Sequence, residues 1–169
     1  MDQNIEKKKN LREEAISFLK EKKVLLISLI AFTLTLIIFF ISLNIYKETI
    51  NSKISEKYIK AGIYLASKNE KKSKELLEEI ILSKNKFYSP LSLNILIEKN
   101  LVEDKKKILE YFELIENLKL SKEKKNLIHL KKSLFLIENL EVEKGKDLLN
   151  KLIQSETNLK SIAEEIYFD

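Results

Sequence analysis

The chain has 169 residues, with 31 Lys and Arg against 26 Asp and Glu for a formal net charge of +5, one histidine and no cysteine. Two glycines and one proline leave little material for β-turns and too little for a glycine-rich phosphate loop, which argues against a sheet protein and a nucleotide cradle. Leu, Lys and Glu dominate instead, all good helix formers, so the fold class expected is all-α.

Residues 1–23 form a basic tail holding Lys7, Lys8, Lys9, Arg12, Lys20, Lys22 and Lys23. Residues 24–46 follow as 23 consecutive positions without a charge, and a run of ~20 such residues suffices to cross the ~30 Å hydrocarbon core as a helix. The run is too long for the hydrophobic core of a secretory signal, and it ends in Leu43-Asn44-Ile45-Tyr46 without a small-x-small cleavage pair, so it reads as an uncleaved transmembrane anchor. Thr33, Thr35 and Ser42 are expected to back-bond to their own helix. No small-xxx-small pattern marks a partner helix, and the run holds no ionisable residue from which to build a pore or proton path.

Seven cations precede the run, whereas Lys47, Lys53, Lys57 and Lys60 follow it. That bias favours a cytoplasmic N-terminus, with residues 47–169 on the far side of an inner (cell) membrane, in the periplasm of a Gram-negative cell. The reverse topology would leave a cytoplasm-facing membrane adaptor.

The 123 residues after Tyr46 are enough for one domain. Their apolar positions recur at helical spacing: Ile54, Tyr58, Ala61 and Leu65; Leu76, Leu77, Ile80 and Ile81; Ile108, Leu109, Phe112 and Ile115; Leu127, Leu130, Leu134 and Ile137; Leu148, Leu149 and Leu152. Each set predicts an amphipathic helix. The single proline predicts one more, starting at Pro90 with Ser89 as N-cap and Tyr88 stapled onto Leu93. Leu159, Ile162 and Ala163 open a last one near Asp169, where an unfinished amphipathic pattern suggests that the native chain continues.

The stretch 97–109 overlays 137–149 without a gap, pairing Ile97 with Ile137, Val102 with Val142 and Leu109 with Leu149, and the earlier stretch 67–79 joins them at an offset of 32, pairing Ser73 with Lys105 and Gly145 and Leu77 with Leu109 and Leu149. Offsets of 32 and 40 straddle the ~34 residues of a tetratricopeptide repeat, a helix hairpin that buries its faces by stacking on its neighbours. Ala61, Ser73, Ser133 and Gly145 occupy places where such a repeat packs small residues, although Leu93 and Lys105 depart from it. A degenerate tetratricopeptide-like solenoid is therefore expected, with an irregular helical bundle as the alternative.

No catalytic chemistry emerges. His129 has no cysteine and no acid four residues away, so it reads as a boundary residue and not as a base or metal ligand. Glu78-Glu79, Glu103-Asp104 and Glu164-Glu165 are adjacent carboxylates that diverge on a helix, which suits solvated faces. Basic residues alternate with acids throughout the domain, unlike a phosphate-binding stripe, so neither nucleic acid nor a small-molecule substrate is expected, and no cofactor or metal. Most aromatics fall on apolar faces. Tyr64, Tyr88 and Tyr111 are the candidates to line a protein-binding groove, since tyrosine offers flat area and one hydrogen bond.

A short basic tail holding Asn10–Lys20, one span, a helix opened by Tyr88-Ser89-Pro90-Leu91-Ser92-Leu93, and the loop-helix junction Glu138–Leu149 together resemble the bacterial ancillary subunit of the Sec translocon. That resemblance implies a non-catalytic accessory protein beside the translocon, working with periplasmic chaperones on emerging chains, and a native chain longer than this one. The function expected is a membrane-tethered protein-interaction scaffold. A holdase for unfolded chains and a self-associating structural protein of the cell envelope are the alternatives.

Overall fold

The computed structural model describes residues 22–168 apart from Leu140. Most of the basic tail, with its Asn10–Lys20 stretch, lies outside the described residues. The rest is helical, with no strand among the described residues. The helices are α1 (Lys23–Ala66), α2 (Glu70–Leu82), α3 (Tyr88–Glu98), α4 (Lys105–Glu116), α5 (Lys122–Glu138), α6 (Val142–Gln154) and α7 (Lys160–Phe168). The chain divides into two units, one ending at Ile50 and one beginning at Asn51.

The first unit holds the apolar run. It is one helix long and apolar enough to cross a membrane, near the N-terminus, and its 23 residues reach about 34 Å at 1.5 Å each. Its large side chains are exposed all round, from Val24 and Phe32 to Phe40 and Ile45, where an amphipathic helix would hide one stripe. Hydroxyls turn back onto the backbone as expected: Thr35 Oγ1 donates to the Ala31 carbonyl at 2.8 Å and Ser42 Oγ to that of Ile38 at 2.9 Å. Ser28 does the same to Leu25 at 2.8 Å. Such bonds satisfy these three hydroxyls within their own helix. The helix does not end where the apolar run does. Residues 47–60 contain no glycine, no proline and mostly helix formers, so nothing stops it before Ala66.

From α2 onward consecutive helices pack on one another, and α2 also reaches α4. One core cluster joins Ala61 of α1, Leu77 and Ile81 of α2, Leu93 and Leu96 of α3, and Phe112 and Ile115 of α4. Phe112 meets Phe135 of α5 at 5.9 Å between ring centres, within the range of favourable aromatic pairs. A second cluster gathers Leu130, Leu149, Leu152 and Ala163 from α5, α6 and α7.

The internal offsets reappear as hydrogen bonds. Asn69 N–H donates to the Tyr64 carbonyl at 2.8 Å, Leu101 N–H to Leu96 at 2.9 Å and Glu141 N–H to Leu136 at 2.9 Å. These three closures end α1, α3 and α5, and they lie 32 and 40 residues apart. Each is the six-to-one bond of a Schellman stop, which satisfies a carbonyl that the helix end leaves orphaned. Two of the stops place Lys68 and Asn100 at φ of 60° and 49°. The end of α2 likewise holds Lys84 at φ 57°, a left-handed conformation that costs a β-carbon-bearing residue roughly 1 kcal/mol. Neither glycine is used at such a turn. Lys84→Gly is therefore expected to stabilise the fold by up to about 1 kcal/mol, less the extra freedom of glycine in the unfolded chain. Its thermal melting midpoint should rise by a few degrees, and a fall would contradict this reading of the turn.

The predicted start at Pro90 needs correction. Helix α3 begins at Tyr88, and its first N–H groups are capped by Asn85 Oδ1, which accepts from Phe87 and Tyr88 at 3.0 and 2.9 Å. Ser89 is fully buried, and its Oγ donates to the Ile80 carbonyl at the end of α2 at 2.9 Å. Pro90 still sits in the first turn, where its missing N–H costs nothing.

Of the small residues singled out for repeat packing, Ser133 and Gly145 come together. A β-carbon on Gly145 would lie 2.8 Å from the Ser133 carbonyl oxygen, so α5 and α6 approach closely because no side chain stands between them. Ala61 and Ser73 are fully buried at other places. Ser73 Oγ and Ser92 Oγ are buried without a hydrogen-bond partner among the described residues.

Candidate functional site

Helices α3 and α5 flank a groove. Its first cavity, about 160 Å3, has Pro90 and Leu91 of α3 on one wall and Leu127 and Ile128 of α5 on the other, with Leu120 entering from the preceding loop. A second, also about 160 Å3, adds Ile97, Leu134 and Phe135. Asn94 and Lys131 line both, so the two form one continuous slot. Residue numbers rise in the same direction along both walls, which means that α3 and α5 run side by side and parallel. The slot follows α3, about 17 Å or three turns long; its first cavity is chiefly apolar, and its second mixes Ile97, Leu134 and Phe135 with Asn94, Glu98, Lys131 and Glu138.

Two large apolar side chains at the slot remain in solvent: Phe87 is 58% exposed and Leu127 42%. Lys86, Lys124 and Lys131 surround the first cavity, whereas Glu98 and Glu138 stand at the far end. Apolar walls with a charged rim are the usual composition of a protein-recognition surface.

A larger cavity of about 550 Å3 lies between the first turn of α2 and the α3–α4 loop. Lys71, Lys74 and Lys107 face Glu70, Glu103 and Asp104 there, and the opposed charges leave no field to select a ligand.

The three tyrosines expected to line a groove are not brought together, and none lines the α3/α5 slot. Tyr111 is 5% exposed and belongs to the core with Ile108 and Ile115. Lys107 Nζ lies 5.8 Å from its ring centre and is paired with Glu78 Oε1 at 2.8 Å. Tyr64 has Lys72 Nζ 5.4 Å from its ring centre. Tyr88 packs between Tyr58, at 5.3 Å, and Phe87, which lines the first cavity, at 5.0 Å.

Burial raises the Tyr111 and Tyr58 hydroxyl pKa values, and the hydrogen bond to Glu78 raises that of Lys107. A group whose folded pKa lies above its unfolded value stabilises the fold fully below the unfolded value and loses that contribution as pH climbs through the folded one. Melting temperature should therefore be insensitive to these groups below about pH 9 and fall above about pH 10.5, the ordinary tyrosine and lysine range. Tyr111→Phe should make that fall shallower, and an unchanged slope would show that Tyr111 contributes nothing to it.

His129 Nε2 lies 3.7 Å from Glu116 Oε1, whose other oxygen pairs with Lys132 Nζ at 2.8 Å. The acid comes from α4, not from four residues along the same helix. Lys132 holds the carboxylate, and no group of three or more metal-ligating side chains that could hold a metal ion occurs among the described residues.

Lys124, Leu127, Lys131 and Leu134 went unremarked as a set in the sequence. They recur every three or four residues along one side of α5, which also presents Ile128 and Phe135 to the slot, while Leu130, Ser133 and Leu136 are buried elsewhere on the same helix. A helix with two apolar faces was the available signal. Comparison with protein-family models, curated proteins and solved structures finds no match to this chain.

Proposed function

We propose that the protein is a non-catalytic, membrane-tethered scaffold in which residues 24–46 anchor the chain and the α3/α5 slot receives a protein partner. The observation that carries this reading is the conjunction, in one chain, of a helix long and apolar enough to cross a membrane with an open apolar slot. The side-by-side course of α3 and α5, and the reach of α2 to α4, support a tetratricopeptide-like hairpin solenoid, in which alternate helices lie parallel. Within that reading the charge bias around residues 24–46 puts the domain in the periplasm. The resemblance to the ancillary subunit of the Sec translocon makes translocon subunits and periplasmic chaperones the partners of first choice.

Tethering supplies the mechanism, because confinement to the membrane plane raises the effective concentration of the slot near a membrane-embedded partner without any new contact. A photoreactive residue at position 127 should give discrete protein adducts in cells expressing the full chain. Adduct yield should drop at least about tenfold when Leu34→Arg and Ile37→Arg prevent anchoring. Equal yield from the untethered chain would refute the tethered-scaffold reading.

A further inference from the structure

We infer that the α3/α5 slot takes an amphipathic helix bearing carboxylates at the end that lies beside Lys86 and Lys124. This rests on the proposed docking function and names the chemistry of the partner. Among the described residues, Lys86, Lys124 and Lys131 make no ion pair, although six other pairs form. Glu98 and Glu138 at the opposite end are also outside those pairs. The slot thus carries a charge axis, with Lys86 and Lys124 at the amino ends of α3 and α5, Lys131 midway and Glu98 and Glu138 at the carboxyl ends, between apolar walls of Pro90, Leu91, Leu127 and Ile128.

The walls supply affinity by removing apolar area from water, and the unpaired rim supplies orientation and selectivity. Two parallel helices with a slot between them offer the ridges into which a third helix packs, with anchors one turn apart. A three-turn helix matches the slot in length. Carboxylates beside the lysines, and cations or none beside Glu98 and Glu138, complete the match. A nucleic acid fits poorly, since its phosphates would meet both glutamates and the apolar walls. A lipid surface fits poorly because the apolar atoms line a recess between helices.

The test uses the full chain in nanodiscs of neutral phosphatidylcholine and two fluorescent three-turn peptides. Both have leucines one turn apart; one carries glutamates at one end, and its twin carries lysines there. The acidic peptide should bind at least about tenfold tighter at low salt, with the gap closing as salt is raised. Lys124→Glu with Lys131→Glu should invert the order, and Leu127→Asp, at a half-exposed position, should weaken both peptides while circular dichroism shows an intact fold.

Equal binding of the two peptides, or an order unchanged by the charge swap, would overturn the inference while leaving a docking slot in place. Failure of both peptides, with neither self-association nor a protein adduct at position 127, would overturn the inference and the docking function together. Self-association abolished by Leu127→Asp, without peptide binding, would make a second copy the occupant. Binding to phosphatidylglycerol vesicles that is lost on charge reversal, again without peptide binding, would make the slot a lipid-contacting face. Either of those results overturns the inference.

Discussion

Replacing Gly145 with valine is expected to destabilise the second unit by about 2–3 kcal/mol, the largest loss predicted for a single added side chain. A β-carbon at this position would lie 2.5 Å from Ile137 Cγ1 and 2.8 Å from the Ser133 carbonyl oxygen. The isoleucine can change rotamer, but the carbonyl belongs to the α5 backbone, and the stiff, branched valine has few rotamers with which to evade it. Relief therefore requires α5 and α6 to separate, which would open the contact around Leu149 and Leu152, both essentially inaccessible to solvent. Valine's lower freedom in the unfolded chain offsets only a fraction of this. Gly62→Ala provides the contrast. Nothing lies within 4 Å of the added β-carbon, so this substitution should stabilise α1 by about 0.5–1 kcal/mol. Melting of the two variants should move in opposite directions, with the Gly145 variant lower by roughly 10 °C; an unchanged midpoint for that variant would contradict the close approach of α5 and α6.

Leu34→Arg combined with Ile37→Arg should abolish membrane retention. Each arginine at the centre of a single span costs about 2.5–3.5 kcal/mol on the insertion scale, and a lone helix has no partner to neutralise it. Both positions are exposed on a helix whose surrounding side chains are apolar, so neither change removes a packing contact. The full chain should resist alkaline carbonate extraction, whereas the double variant should pass to the soluble or aggregated fraction. Leu34→Ala alone should change nothing measurable, because alanine is tolerated in a span. Carbonate-resistant retention of the double-arginine chain would mean that something other than residues 24–46 holds the protein at the membrane.

The helices were legible in the sequence because a 3.6-residue period survives wherever one face is buried: Ile108, Phe112 and Ile115 announce α4, and Leu149 and Leu152 announce α6. The offsets of 32 and 40 were legible too, and the structure gives them a physical basis in three helix stops closed by the same backbone bond. The start of α3 was misjudged because Ser89-Pro90 imitates a cap while Asn85, farther upstream, does the capping. Tyr111 was misassigned although its spacing from Ile108 and Ile115 already places it on the buried face of α4. The slot itself could not be read along the chain, since it exists only when α3 and α5 lie side by side with α4 between them in sequence. The signal that the sequence offers is the second apolar face of α5, where Leu127, Ile128, Leu134 and Phe135 recur one side away from Leu130 and Leu136.

In the proposed topology residues 24–46 hold the helical domain on the side of the membrane opposite the N-terminal tail. Because the chain has no cysteine, a single Lys144→Cys substitution at a side chain 74% exposed gives a background-free probe for a membrane-impermeant maleimide. Spheroplasts should be labelled before lysis, with no further gain after lysis. Labelling that appears only once the membrane is broken would put the domain in the cytoplasm and contradict that topology.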